Sequence, residues 1–474
     1  MRISTILAAG LLLPLTLGMV DLRADSTGRD IYQQYCATCH GLDARGGNAS
    51  TLFDDRWEFG DRPEQIRAHI TDGIADMGMP AFGTALSPGQ VDALMAYLAA
   101  MKGQAAPPPV RRHKETRTLD YRLKVAHWIP ADAGLRTPWA IDFIDADTAL
   151  VTEKPGRLRL VVKGRLHPDP IRGIPQVLAT RQGGLLDVAV DPAYADNGWI
   201  YLGYSHEAGI GIRSPAMTRI VRGRIRHHAW TDEEVVFEAP RRTYTSARLH
   251  YGTRIVFDAQ GFLYFSIGDR GQQEQAQDLR QPNGKIHRLH RDGRIPADNP
   301  FAGRADALPS VFSFGHRNPQ GLAIHPQNDT LWALEHGPRG GDELNLIHSG
   351  ANYGWPVITY GINYNGTIIT DRRQKEGLEQ PIYFWRPSTA VCGLSFYTGD
   401  MFPFWRHNLL VANLKFRDVR LLSLADARVI HEEVILKDYG RVREAVGGPD
   451  GAVYVVVNEP DEILRVSSLG RAPQ

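Results

Sequence analysis

Cys36-Ala-Thr-Cys39-His40 sets two thiols within one turn of chain and an imidazole directly after the second. Thiols at that spacing reach both vinyl groups of a haem while the imidazole reaches the iron, so the segment reads as a haem c site with His40 as proximal ligand. The competing readings are a zinc site or a redox dithiol with an incidental His; a zinc site needs further Cys or His at ligand spacing, and none stands nearby. The opposite axial position has two candidates in Gly73-Ile-Ala-Asp-Met77-Gly-Met79-Pro80-Ala-Phe82. Met79 is the expected ligand because Pro80 stiffens the chain behind it, with Met77 as the alternative. A His/Met pair raises the iron potential, which suits electron acceptance.

Further along, chemical side chains stand among glycines in four clusters: 250–254, 267–271, 315–321 and 335–343, the last running on to Asn352-Tyr-Gly-Trp-Pro356. His250 has the titration range of a general base, and Asp269 could fix its tautomer. Arg317 carries a permanent charge able to steady an anion developing on a carbonyl oxygen. The carbonyls of Gly337 and Pro338 suit a hard cation such as Ca²⁺. Each also has a plainer reading: a structural strand-end His, an Asx-turn Asp, a surface Arg ion pair. The residues alone leave both readings open.

Two kinds of element must position these groups. Ser87-Pro-Gly-Gln90 is a capping box with Pro at the first helical position, and Val91, Leu94, Met95 and Leu98 then define one buried helical face. That helix and the one entering Cys36 are expected to pack over the haem, with Trp57 a candidate for contact at its edge. The Met79-Pro80 loop resembles the ligand loop of class I cytochromes c. Residues 25–103 therefore read as a small all-α cytochrome c domain, and the Pro-rich, then charged segment 104–118 as a semi-rigid tether.

From 119 to 474 the period changes. A turn rich in Asp, Pro, Asn or Gly precedes a short apolar strand at Asp145, Asp191, Asp258, His325, Trp405 and Gly448. One turn-strand phrase reused at blade-like intervals predicts a six-bladed β-propeller rather than a β-sandwich. In a propeller the polar loops gather at one mouth of the central channel, where a ligand sits.

Composition sets the remaining bounds. A chain of 474 residues predicts two or more domains, and 54 Lys+Arg against 53 Asp+Glu gives no electrostatic case for nucleic acid as partner. Arg2, the apolar run from Ile6 to Val20, and Ala24 predict an export signal over 1–24, the competing reading being an uncleaved anchor. No second run of spanning length follows, so no membrane span is expected after cleavage and the mature chain is expected in the periplasm. Of three Cys, two belong to the haem motif, so no disulfide framework is expected, and Cys392 reads as a small buried filler.

The phrases Asp298-Asn-Pro-Phe301, Gly315-His-Arg-Asn-Pro-Gln-Gly321 and Asn352-Tyr-Gly-Trp-Pro356 together give residues 135–466 a resemblance to the soluble aldose sugar and glucose/sorbosone dehydrogenase family. That resemblance implies a six-bladed propeller using pyrroloquinoline quinone (PQQ) and Ca²⁺. It implies that His250 takes the substrate hydroxyl proton as hydride passes to the quinone, and that Asp269 orients His250. Arg317 and Asn318 would bind quinone oxygens, while Lys415, Arg441 and Arg443 would grip its carboxylates. Gly337 and Pro338 would hold Ca²⁺ there, and Glu343 is the candidate for a second, structural Ca²⁺ site. The implied activity is oxidation of an aldose to its lactone, with electrons leaving through the haem to a periplasmic cytochrome, copper protein or respiratory chain. Val391-Cys392 departs from the family's usual Pro-Ser and is expected beside the rim of the site. Two alternatives remain: an alcohol or aldehyde dehydrogenase, and a propeller that binds without redox chemistry, its haem serving as a sensor.

Overall fold

The computed structural model describes residues 28–41, 44, 49, 52–53, 60–102, 114–209 and 214–473. The expected export signal, Trp57 and most of the tether lie outside the described residues.

The N-terminal part is helical. A helix runs from Gly28 through the haem motif to His40 with a widened turn at Tyr32–Cys36, and two more span Pro63–Asp72 and Pro88–Lys102. The capping box forms: Ser87 N–H donates to Gln90 Oε1 at 2.9 Å and Gln90 N–H to Ser87 Oγ at 3.3 Å. The first and last helices cross closely at Gly28, where a Cβ would fall 2.1 Å from the Ala93 carbonyl oxygen. Val91 and Leu94 are buried with Ile31, Tyr32, Ile70 and Phe82, and Met95 and Leu98 pack against that cluster.

Residues 115–471 form six antiparallel sheets, five of four strands and one of five. The innermost strands are Pro138–Phe143, Leu185–Val190, Ile255–Phe257, Pro319–Ile324, Val391–Phe396 and Arg441–Gly447, each touching the next around a ring. This is the expected six-bladed propeller. Its last sheet joins the two ends of the chain, with Tyr121–Ile129 paired to Glu462–Arg471 in the register Val125↔Val466. Glu115–Arg117 adds an outer strand to it, so regular sheet begins inside the segment expected as tether. All six turn-strand phrases fall between the first and second strands of a blade. Asp258 shows why the phrase repeats: its carboxylate accepts the Phe262 N–H at 2.8 Å, closing the turn with local chemistry.

A charged plug crosses the channel. Arg254, buried, pairs with Asp187 at 2.9 Å and with Glu444, and its Nε donates to the Gln320 carbonyl at 3.2 Å. Asp187 and Glu444 also accept the Ile255 and Ile141 N–H groups at 2.7 and 2.8 Å, tying several blades together. Burial pushes the Asp187 carboxyl up to about 7 despite Arg254, so the cation is what keeps two facing carboxylates tolerable. Arg254→Met should therefore destabilise the propeller by about 3–5 kcal/mol, read as a lowered denaturant midpoint, since it strands two buried carboxylates. A midpoint unchanged from wild type would contradict that role.

Candidate active site

The mouth of the channel is lined by Trp139, Lys154, Arg181, Gln182, His250, Arg317, Asn318, Gln320, His336, Tyr364, Leu414 and Arg443. His250 and Asp269, nineteen residues apart, meet at its floor with Nδ1 to Oδ1 at 2.6 Å. Their approach depends on Gly268, where a Cβ would fall 2.4 Å from the His250 carbonyl oxygen and 2.7 Å from Asn318 Oδ1. His250 holds a left-handed backbone, φ 51°, and its N–H donates to Gln182 Oε1 at 2.8 Å. A non-glycine residue there is held by its surroundings, a cost that functional positions often carry.

Protonation follows from geometry. Burial alone would raise the Asp269 carboxyl, but His250, Arg317 and the Gly271 N–H hold it below its ordinary value. Trp355 Nε1 donates to its second oxygen at 2.8 Å, and Gly271 N–H to its first at 2.8 Å. An ionised carboxylate only accepts, so His250 carries its proton on Nδ1 and leaves Nε2 as a free base facing the pocket. Burial, then Arg317, pushes His250 below its ordinary 6.5, with Asp269 opposing. The imidazole is thus neutral and ready to take a proton near neutrality.

Arg317 is fixed from both ends. Its N–H donates to Glu335 Oε2 at 2.7 Å, its guanidinium donates to the His336 carbonyl at 3.1 Å, and the Tyr364 hydroxyl is a further partner. Asn318 Oδ1 accepts the Gly252 N–H at 3.1 Å, which orients the amide so that its NH₂ is not the group engaged there. Arg443 donates to Asn458 Oδ1 at 2.8 Å and stacks 3.9 Å over Trp139. Arg441 is buried beside it, and Lys415 lies exposed at the rim.

These cations crowd one another. Burial, then Arg443, Arg181 and Arg441, pushes Lys154 down to about 8, and burial, then Arg443, pushes Arg441 down to about 10. Positive groups that oppose each other's charge favour uptake of an anion, and several carboxylates on one planar ligand would satisfy them. Below Arg317, the buried carbonyls of Gly337 and Pro338 accept no hydrogen bond among the described residues, which fits a hard cation. The Gly337 N–H donates to Asp342 Oδ1 at 2.9 Å, so this turn is built on an acidic anchor.

Glu343 lies opposite Glu335 across paired strands, with Asn345 Nδ2 3.4 Å from its Oε2. Burial, then the Glu335 charge, pushes its carboxyl well up. Among the described residues no cluster of three or more Asp, Glu, His or Cys is arranged to hold a metal. Cys392 is the small, fully buried residue expected, on an innermost strand, and its Sγ lies 3.4 Å from Oε1 of Gln320, one of the residues lining the mouth.

Sequence reasoning missed Lys154, Arg181, Gln182, His336 and Tyr364. Arg181 and Gln182 precede Gly183-Gly184, the same mixture of glycines and chemical side chains that marked the other clusters. His336 was inside a marked cluster. Burial, then Arg317, holds it well below its ordinary value, and its Nε2 contacts Gln320 Oε1 at 3.2 Å. Tyr364 likewise stands between Gly361 and Gly366 with Asn363 and Asn365 beside it.

The haem-motif helix sits over this mouth. Met79 packs into the helical core with Tyr35, Cys36 and Phe82, whereas Met77 does not. Cys39 faces the cationic rim: burial raises its thiol, while Arg181, Arg441, Lys415 and Arg317 pull it back.

Residues 135–465 match the family described as Glucose / Sorbosone dehydrogenase, and residues 23–98 match that described as Cytochrome C oxidase, cbb3-type, subunit III. Aldose sugar dehydrogenase YliI of Escherichia coli (strain K12) is 41% identical over 337 residues, 70% of this chain and 90% of that protein. The crystal structure of the soluble aldose sugar dehydrogenase from Escherichia coli in the apo-form superposes with a TM-score of 0.68 at 39% identity, covering 73% of this chain and 99% of that one. The PQQ-bound form of aldose sugar dehydrogenase from Streptomyces coelicolor gives a TM-score of 0.60 at 25% identity, covering 73% and 98%.

Proposed function

Because the chain belongs to the glucose/sorbosone dehydrogenase family, we propose that it oxidises an aldose at C1 to the lactone and passes the electrons to its own haem c. The observation that carries this reading is the His250–Asp269 pair at 2.6 Å, opening its free Nε2 into a cationic pocket. Bound PQQ supplies the acceptor for a hydride, polarised by Ca²⁺. The residues do the rest. His250 Nε2 takes the proton of the anomeric hydroxyl, and Asp269 stabilises the imidazolium so formed. Arg317 and Asn318 would hold the quinone oxygens, Lys415, Arg441 and Arg443 its carboxylates, and the Gly337 and Pro338 carbonyls would hold Ca²⁺. Glu343 would be the residue to hold a second, structural Ca²⁺.

In the haem region Cys36 and Cys39 would hold the haem covalently, and His40 and Met79 would be the residues that bind its iron. The inward packing of Met79, and its absence for Met77, supports that choice. No helix among the described residues is long and apolar enough to cross a membrane. We assign the protein to the periplasm, discharging to a cytochrome, copper protein or respiratory chain.

Titration calorimetry with PQQ tests the reading at its base. Binding should be tight with Ca²⁺ present and fall by at least about tenfold after chelation, with aldose-dependent dye reduction appearing only in the loaded protein. Absence of PQQ binding under both conditions would leave a binding module in place of an enzyme.

A further inference from the structure

Four loops of the propeller mouth reach the helical part of the chain, and all meet the haem motif's helix or the loop carrying Met79. The Arg181 guanidinium donates twice to the Met77 carbonyl, at 3.1 and 2.6 Å. Leu249, beside His250, packs on Gly78, where a Cβ would lie 3.7 Å from Leu249 Cβ. The Arg339 guanidinium lies 5.4 Å over the Tyr35 ring, one residue before Cys36. Asn365 Nδ2 donates to the Ala81 carbonyl at 3.4 Å. Two of these loops are also site loops. Gln182, next to Arg181, accepts from the His250 N–H at 2.8 Å, and Tyr364, next to Asn365, lines the pocket and bonds Arg317. Contacts this distributed, from four separate loops, define a seat.

We propose that this mouth is a docking seat for the chain's own Met79 loop, and that the seated arrangement, with Arg181 and Tyr364 between pocket and Cys39, is the one that transfers electrons to the haem. The inference rests on the function proposed above. Oxidation of one aldose releases two electrons and two protons. One electron converts ferric haem to ferrous, and an external one-electron acceptor must reoxidise the haem before it takes the second.

The seam can be locked. Cβ atoms about 3.8 Å apart suit a disulfide, so Gly78→Cys with Leu249→Cys should cross-link under oxidised glutathione, which takes up the two electrons and two protons lost by the thiols. Gly78 lies at φ 74°, so Gly78→Ala serves as the control for backbone strain. The readouts are the mass of the cross-linked chain and, in the same PQQ-loaded protein before and after oxidation, the rate of haem reduction by sugar. We expect near-complete cross-linking and a haem reduction rate preserved within about threefold. Independently, Arg339→Ala with Asn365→Ala should slow haem reduction roughly tenfold without changing dye-coupled turnover. Failure to cross-link, or a locked protein that reduces dye while its haem stays ferric although sugar reduced the haem before locking, would overturn the seat. Cross-linking with a haem that stays ferric in both states would instead overturn the quinone-to-haem route on which it rests.

Discussion

His250→Ala is expected to lower aldose oxidation about 10²–10⁴-fold while PQQ still binds, since a positioned general base contributes on that order. The imidazole contributes a lone pair on Nε2 and is backed by the Asp269 carboxylate, which stabilises the imidazolium once the proton is taken. His336 is neutral too, but its Nε2–H donates to Gln320 Oε1 and, among the described residues, no carboxylate is paired with its ring to stabilise an imidazolium. The pH profile carries a second signature. Because burial and Arg317 depress His250 below 6.5, the neutral base persists there, and the acid limb of kcat/KM should fall below pH 6.5 in wild type. Asp269 opposes that depression, so Asp269→Asn should move the limb further down as well as lowering the rate. Turnover unchanged in His250→Ala, or an acid limb above 6.5, would remove His250 from the base's role.

The second large effect is a separation of activities. Cys36→Ser with Cys39→Ser removes both thioether sulfurs, so covalent haem should be lost entirely, as read by haem staining after denaturing electrophoresis. The propeller carries its own core and closes its ring between Tyr121–Ile129 and Glu462–Arg471, independently of the helical region. Sugar oxidation with a soluble dye should therefore survive. Retention of covalent haem in the double variant would contradict the attachment, and loss of dye reduction would show that the propeller's chemistry needs the haem region.

Much of this organisation was legible in the sequence because its signals are local. The six turn-strand phrases mark the same turn in every blade, since Asx-type bonds such as Asp258 to Phe262 close within a few residues. Likewise the Ser87–Gln90 capping box and the buried Val91 and Leu94 follow from spacing along one helix. His250 and Asp269 could be paired from residue type, but family resemblance was needed to choose that over the structural readings, because their meeting depends on Gly268 letting two loops approach. What escaped was long-range. Arg254 stood inside a marked cluster, yet its partners Asp187 and Glu444 come from distant blades. Arg181 and Tyr364 acquire meaning only where the helical region sits on the mouth, which no spacing encodes.

The central claim is that one chain oxidises a sugar and collects the electrons on its own haem. Haem absorbance of the oxidised protein, loaded with PQQ and Ca²⁺, should be followed on adding an aldose under anaerobic conditions. The account predicts the ferrous spectrum only when cofactor, Ca²⁺ and sugar are all present, with a rate independent of protein concentration because transfer is within the chain. A haem that stays ferric while a soluble dye is reduced by the same sugar would contradict it.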